Sequence, residues 1–103
     1  MVLNIMERLM LFNMLMGMEG DFLTLKAIRQ LREVLEITEE EQKASEFERV
    51  DGGFKWERNI DKEFEFTERE TSVIVGRLKF LDEAKRLTEQ HYSLYEKFIP
   101  DSD

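Results

Sequence analysis

Residues 4–18, "NIMERLMLFNMLMGM", hold five of the chain's six methionines and only four strongly polar residues. Asn4 followed three residues later by Glu7 is a capping-box signature, so a helix starts there and runs to about Met16. At about 100° per residue, Ile5, Leu9, Phe12 and Met16 occupy one side of it, Met6 and Met10 the next, and Met14 the third. Leu11 and Leu15 lie beyond, and only Glu7, Arg8 and Asn13 break the circle. A surface helix in a small domain needs one apolar stripe. This one needs neighbours on two or three sides. Any fold open to the chain must enclose it, either with its own remaining elements or with another copy.

The rest of the chain offers limited cover. With 103 residues, one domain is expected, burying roughly two-thirds of its unfolded surface. The expected domain is 1–99, with 100–103 as a disordered tail after the helix-stopping Pro100. The net charge is −8, and it is uneven, since residues 37–70 carry twelve acids against six bases. Such a field repels phosphate backbones and anionic lipid surfaces, which argues against nucleic-acid and membrane partners. There is no cysteine, so disulfides, thiolate metal sites and thiol nucleophiles are excluded. Glu7 and Arg8 interrupt the first apolar segment and no small-residue cleavage site follows, so a signal peptide is not expected. The longest uncharged run there is far short of the ~20 residues that span a bilayer. A cytoplasmic protein is the expectation.

Along the chain, Gly17 and Gly20 bracket a turn, and Asp21 is a plausible N-cap for "FLTLKAIRQLREVLE". There Leu23, Ala27, Ile28, Leu31, Val34 and Leu35 form an apolar stripe, opposed by Lys26, Arg29, Arg32, Glu33 and Glu36. Thr38 with Glu41 opens a short helix to about Ser45. "FERV-DGG-FKWER" then reads as a hairpin, and "KEFEF" as a third, half-buried strand. Thr67 with Glu70 starts a long helix to about Arg86, and Thr88 begins a final helix. The predicted fold class is α+β and mostly helical, with about five helices and a small antiparallel hairpin or three-stranded sheet in the middle.

Chemistry is hard to find in this pattern. The lone His91 has no nucleophile or orienting acid at a recognisable spacing, so a helix-surface or core-edge role is expected. Glu39, Glu40 and Glu41 point about 100° apart and suit the first turn of a helix better than a metal ion. Glu63 and Glu65 alternate with phenylalanines as a solvated strand face does. No catalytic, cofactor or metal residues are assigned, and no enzyme is expected. Lys26, Arg29 and Arg32, at i, i+3 and i+6, are the basic cluster. They could hold a phosphate-bearing ligand or pair with Glu33 and Glu36. Trp56 and Phe54 share a strand face that either packs in the core or forms a docking patch. Gly76 would be explained by close approach of another helix.

The order of elements over residues 4–58 resembles a winged-helix domain, with 38–46 in the place of the recognition helix and "VDGGF" at the wing tip. That resemblance implies a DNA-binding regulator. However, the helix offers Glu39, Glu40, Glu41 and Glu46 against Lys43, where phosphates and base edges require donors. "EGDFLTLK" and "SLYEKF" resemble segments of small bacteriophage and prophage proteins of unknown function, which implies action on a host protein or signalling molecule. Taken with the first helix, the sequence points to a non-enzymatic binding module with two partners, itself and another protein. The expected self-association is a homodimer or cyclic oligomer packed through Met6, Met10, Met14 and Leu11, methionine being common on adaptable surfaces.

Overall fold

Three capping boxes set three helix starts. The Asn4 side chain accepts from the Glu7 N–H (2.8 Å) while Glu7 accepts from the Asn4 N–H (3.0 Å), and the same exchange joins Thr38 to Glu41 and Thr67 to Glu70. A computed structural model describes residues 1–100; residues 101–103, most of the expected tail, lie outside the described residues. The elements are β1 (Val2–Leu3), α1 (Ile5–Leu15), α2 (Phe22–Leu35), α3 (Glu39–Ser45), β2 (Glu48–Val50), β3 (Gly53–Lys55), β4 (Lys62–Glu63), α4 (Glu68–Glu83) and α5 (Tyr92–Phe98). A 3-10 turn over Glu89–His91 leads into α5. The fold is therefore α+β and mostly helical, with five helices among the described residues.

The strands form two separate two-stranded antiparallel sheets, not one three-stranded sheet. β2 and β3 make the hairpin read from Asp-Gly-Gly, with Gly52 at φ +85° and Gly53 at φ +155° supplying the positive dihedrals of the turn. β4 turns away from it and pairs with β1, placing Val2 opposite Glu63 and Leu3 opposite Lys62. The Phe64 N–H extends this ladder to the Met1 carbonyl at 2.7 Å.

α1 lies in the middle, against α2, α4 and the 3-10 turn. Its Leu11, Met14 and Leu15 join Leu3, Ile28, Leu31, Leu35, Phe64, Ile74, Leu78, Leu94 and Phe98 in one apolar core. This corrects the surface role expected for two residues. Leu11 is fully buried and Met14 nearly so inside a single copy, while Met6 and Met10 are half-buried. α2, α4 and the 3-10 turn supply the extra sides that an almost wholly apolar helix requires.

α2 buries a narrower stripe than its sequence proposes, and α4 buries one face only. In α2, Ala27, Ile28, Leu31 and Leu35 are inside, whereas Leu23 and Val34 are exposed. In α4, Ile74, Leu78 and Leu81 are inside and Phe80 is not. α4 also stops short of Arg86. Lys85 takes φ +57°, and the Arg86 N–H closes back onto the Leu81 carbonyl at 2.8 Å. Glu46 ends α3 in the same left-handed way at φ 56°. A Cβ added at Gly76 meets nothing within 4 Å, so close helix approach does not account for that glycine.

Candidate functional site

Buried charge is the first place to look for chemistry, and here the buried charges are tied into the fold, leaving Glu7 Oε2, Arg8 Nε and Arg77 Nε without a hydrogen-bond partner among the described residues. Arg8, fully buried, spans from α1 to α3, where both Nη atoms reach Glu41. Nη2 also donates to the Glu36 carbonyl at the end of α2 (2.7 Å), and the guanidinium lies 5.2 Å over the Phe64 ring. The hydrogen bond from Arg8 outweighs partial burial and draws the Glu41 carboxyl down to about 2. Glu7, beside Arg8, accepts from Lys97 at 2.7 Å. Burial alone would raise the Glu7 carboxyl; hydrogen bonds from Lys97, the Asn4 N–H and Ser93 hold it below the usual range.

His91 proves to be a cap. Its Nδ1 accepts from the Thr88 N–H at 2.9 Å and lies 3.0 Å from the Thr88 hydroxyl, at the start of the 3-10 turn. Nδ1 must be unprotonated to do this, and burial pushes the ring's affinity for a proton down. Among the described residues no group of three or more His, Asp or Glu is placed to hold a metal ion, and Glu39–Glu41 do not converge.

These groups set the response to acid. His91 is favoured neutral in the folded chain, so its contribution is present above about 6.5 and declines as pH falls below that value. Glu41 and Glu7 are favoured ionised, so theirs is present above the unfolded carboxylate range and is lost as pH falls through it, for Glu41 towards about 2. Urea unfolding in steps from neutral to acid pH should give a shallow decline first and a steeper one below about 4.5. Constant stability down to pH ~3 would show that neither the cap nor the Arg8 tie carries weight.

The surface is a different matter. After α1, Gly17 (φ +75°) reverses the chain, and Asp21 caps α2 through the Thr24 N–H at 2.8 Å. α2 then carries a second stripe, out of phase with its core stripe, in which Phe22, Leu25, Arg29 and Arg32 fall at helical spacing with Lys26 beside them. Phe22 is 77% exposed. With Leu15, Met18 and Ile28 these residues line a cleft of about 420 Å³. Met18 is shared with a neighbouring cleft of about 490 Å³, lined by Val73, Gly76 and Phe80 and by the cations Arg69 and Arg77. The two clefts make one apolar surface with a cationic rim.

Lys26, Arg29 and Arg32 are thus brought together at the cleft edge. Among the described residues none of the three is in a salt bridge, so the expected pairing with Glu33 and Glu36 does not form. Arg32 lies 5.4 Å over the Phe12 ring. The stripe proposed from the sequence, Leu23, Ala27, Ile28, Leu31, Val34 and Leu35, leaves out the apolar half of this surface, Phe22 and Leu25. The spacing of Leu25 from Phe22 and Arg29 is the signal that marks it.

A second surface is mixed in charge. Glu39, Glu46 and Glu48, with Gln42 and Lys43 among them, line a groove of about 610 Å³ beside Phe47, at the junction of α3 and the hairpin, and Glu48 pairs with Lys55 at 3.4 Å. Phe47 stacks on Phe54 (5.2 Å between centroids) and on Trp56 (6.1 Å), so Phe54 and Trp56 do share a side. That side is not the core, because Phe54 is 45% exposed. Every residue of β2 and β3 is exposed. No helix among the described residues is long and apolar enough to cross a membrane. The sequence matches no family model, no curated protein and no solved structure.

Proposed function

We propose that this chain is a non-enzymatic, cytoplasmic binding module that covers a surface of another protein, in keeping with its resemblance to phage-borne proteins. Its working face is the cleft beside α2. One observation carries the reading: Phe22, Leu25 and Met18 form an apolar surface whose rim cations, Lys26, Arg29 and Arg32, are in no salt bridge among the described residues. A monomer gains nothing from exposing a phenylalanine beside such arginines. An acidic, apolar protein segment would satisfy both. Nucleic acid fits poorly, since α3 presents Glu39, Glu40 and Glu46 in the position where phosphates would have to be met.

A photo-crosslinker placed at Leu25, in the cells from which the protein comes, tests this. A discrete adduct with another protein is expected, lost in Arg29→Glu/Arg32→Glu and absent when the crosslinker is moved to Glu83 on α4. Adducts containing only copies of this chain would overturn the reading. A second reading, a small phosphate-bearing ligand, rests on the same three cations. Glu33 and Glu36 also line the space beside Arg29 and Arg32, which opposes a densely charged anion. Pyrophosphate is therefore expected to leave the melting temperature unchanged.

A further inference from the structure

Gly76 stands in the middle of α4 with no task inside the chain. Glycine weakens a helix interior, and here its φ is not positive, so the backbone does not require it. The space where a Cβ would stand is open. Gly76 is exposed instead, and it lines the cleft of Met18, Val73 and Phe80, with the small Thr24 and Ser72 near it. Arg69, Val73, Gly76 and Phe80 fall at i, i+4, i+7 and i+11, the spacing by which one helix offers a seam to another. The core contacts of α4, Ile74, Leu78 and Leu81, belong to a different face. A seam with glycine at its middle has a low point, where a second helix can cross at a short interaxial distance.

Charge says what crosses. Acids outnumber bases 23 to 15 in the chain. Yet this cleft and its neighbour beside α2 are lined by Lys26, Arg29, Arg32, Arg69 and Arg77 and by no Asp or Glu among the described residues. None of these five cations is in a salt bridge among the described residues. Arg77 lies 5.0 Å over the Phe80 ring. Asp21 feels the charge of Arg69, and Glu33 and Glu36 stand beside Arg29 and Arg32, but these three acids border the lined surface without entering it. The lining residues come from α1, α2, α4 and the turn after α1, so no strand edge is offered here for an extended segment to pair with. A helix, which satisfies its own backbone, suits such a surface.

We propose that the two adjoining clefts take one amphipathic α-helix of a partner protein, acidic on its flanks and small where it crosses α4 at Gly76. The proposal rests on the α2 cleft being a docking face and adds the shape of what docks there. One end of the helix packs on Phe22 and Leu25, its middle passes Met18, and its other end lies over Gly76 between Val73 and Phe80. Its flanking carboxylates meet the rim cations.

Fluorescence anisotropy with a labelled peptide tests this. The probe is a stapled helix of about 18 residues, roughly 27 Å long, with leucine and alanine on one face and glutamate on the flanks. Saturable binding is expected, with none for the same peptide carrying lysine for glutamate and a large loss when prolines break its helix. Gly76→Leu should weaken binding at least about tenfold. It should also raise the melting temperature, because the new side chain enters open space and leucine favours helix. Gly76→Ala should raise the melting temperature too and lose less binding. No binding at high micromolar concentration would overturn the crossing helix. So would equal binding of the intact and proline-broken peptides, or of wild type and Gly76→Leu. Each of these leaves the crosslinking result at Leu25 untouched, whereas failure of that crosslink removes the docking face itself. Self-association of wild type that Gly76→Leu abolishes would overturn the proposal in favour of a second copy.

Discussion

Arg8→Ala is expected to lower the free energy of unfolding by about 3–5 kcal/mol, the cost of breaking a buried ion pair from one side. The side chain is enclosed completely, and it serves three elements at once: α1 carries it, α2 ends on it through the Glu36 carbonyl, and α3 holds it through Glu41. Alanine leaves that carbonyl and carboxylate facing a void, and it removes the contact over Phe64. Since small domains are stable by about 5–15 kcal/mol, the loss would consume a large part of the total. Arg8→Lys should recover only a fraction, because an ammonium cannot span both carboxylate oxygens and a carbonyl as a planar fork does. Urea unfolding at neutral pH gives both numbers. A loss below ~1 kcal/mol for alanine would place the pair among the weak surface bridges.

Leu11→Ala is the second large effect, about 2–5 kcal/mol, and it bears on the methionine-rich helix. Leu11 is fully enclosed by the chain's own core, so truncation opens a cavity that α2 and α4 cannot collapse into freely. Met16→Ala, one turn and a half further on and exposed, should change stability by no more than about 0.5 kcal/mol. Comparing the two unfolding midpoints, with mass measured in parallel, separates a core helix from an inter-copy helix. If Leu11→Ala leaves stability intact and instead dissociates an oligomer, α1 belongs to an interface after all.

What could be read from the residues divides by range. The capping pairs Asn4/Glu7, Thr38/Glu41 and Thr67/Glu70 act within one turn, so their chemistry is complete in four residues and each helix starts where they place it. The Asp-Gly-Gly hairpin is equally local. The destination of "KEFEF" is not. Its alternation says that one face is covered but not by what, and the partner proved to be Val2–Leu3 rather than the adjacent hairpin. His91 hid for a related reason, since an imidazole accepting a backbone N–H does the work normally left to Glu at that position of a capping box. At the cleft, the cations Lys26, Arg29 and Arg32 were legible as a cluster. Phe22 and Phe80 were not, because an apolar residue is assigned to the interior until a structure leaves it outside.

The pairing of Val2 and Leu3 with Lys62 and Glu63 has a consequence for how the chain comes into being. Synthesis runs from the N-terminus at about 5–20 residues per second, so α1 is made among the first elements. The elements that enclose it, α2, α4 and the turn before α5, follow one after another, the last of them after residue 88. For several seconds the most apolar helix of the protein has no finished pocket to enter, and β1 has no strand to meet. Docking must await the residues that follow Thr88. Non-local closure of this kind slows folding relative to a simple helical bundle, and it leaves a nascent methionine-rich segment that a chaperone or a neighbouring nascent chain can reach first.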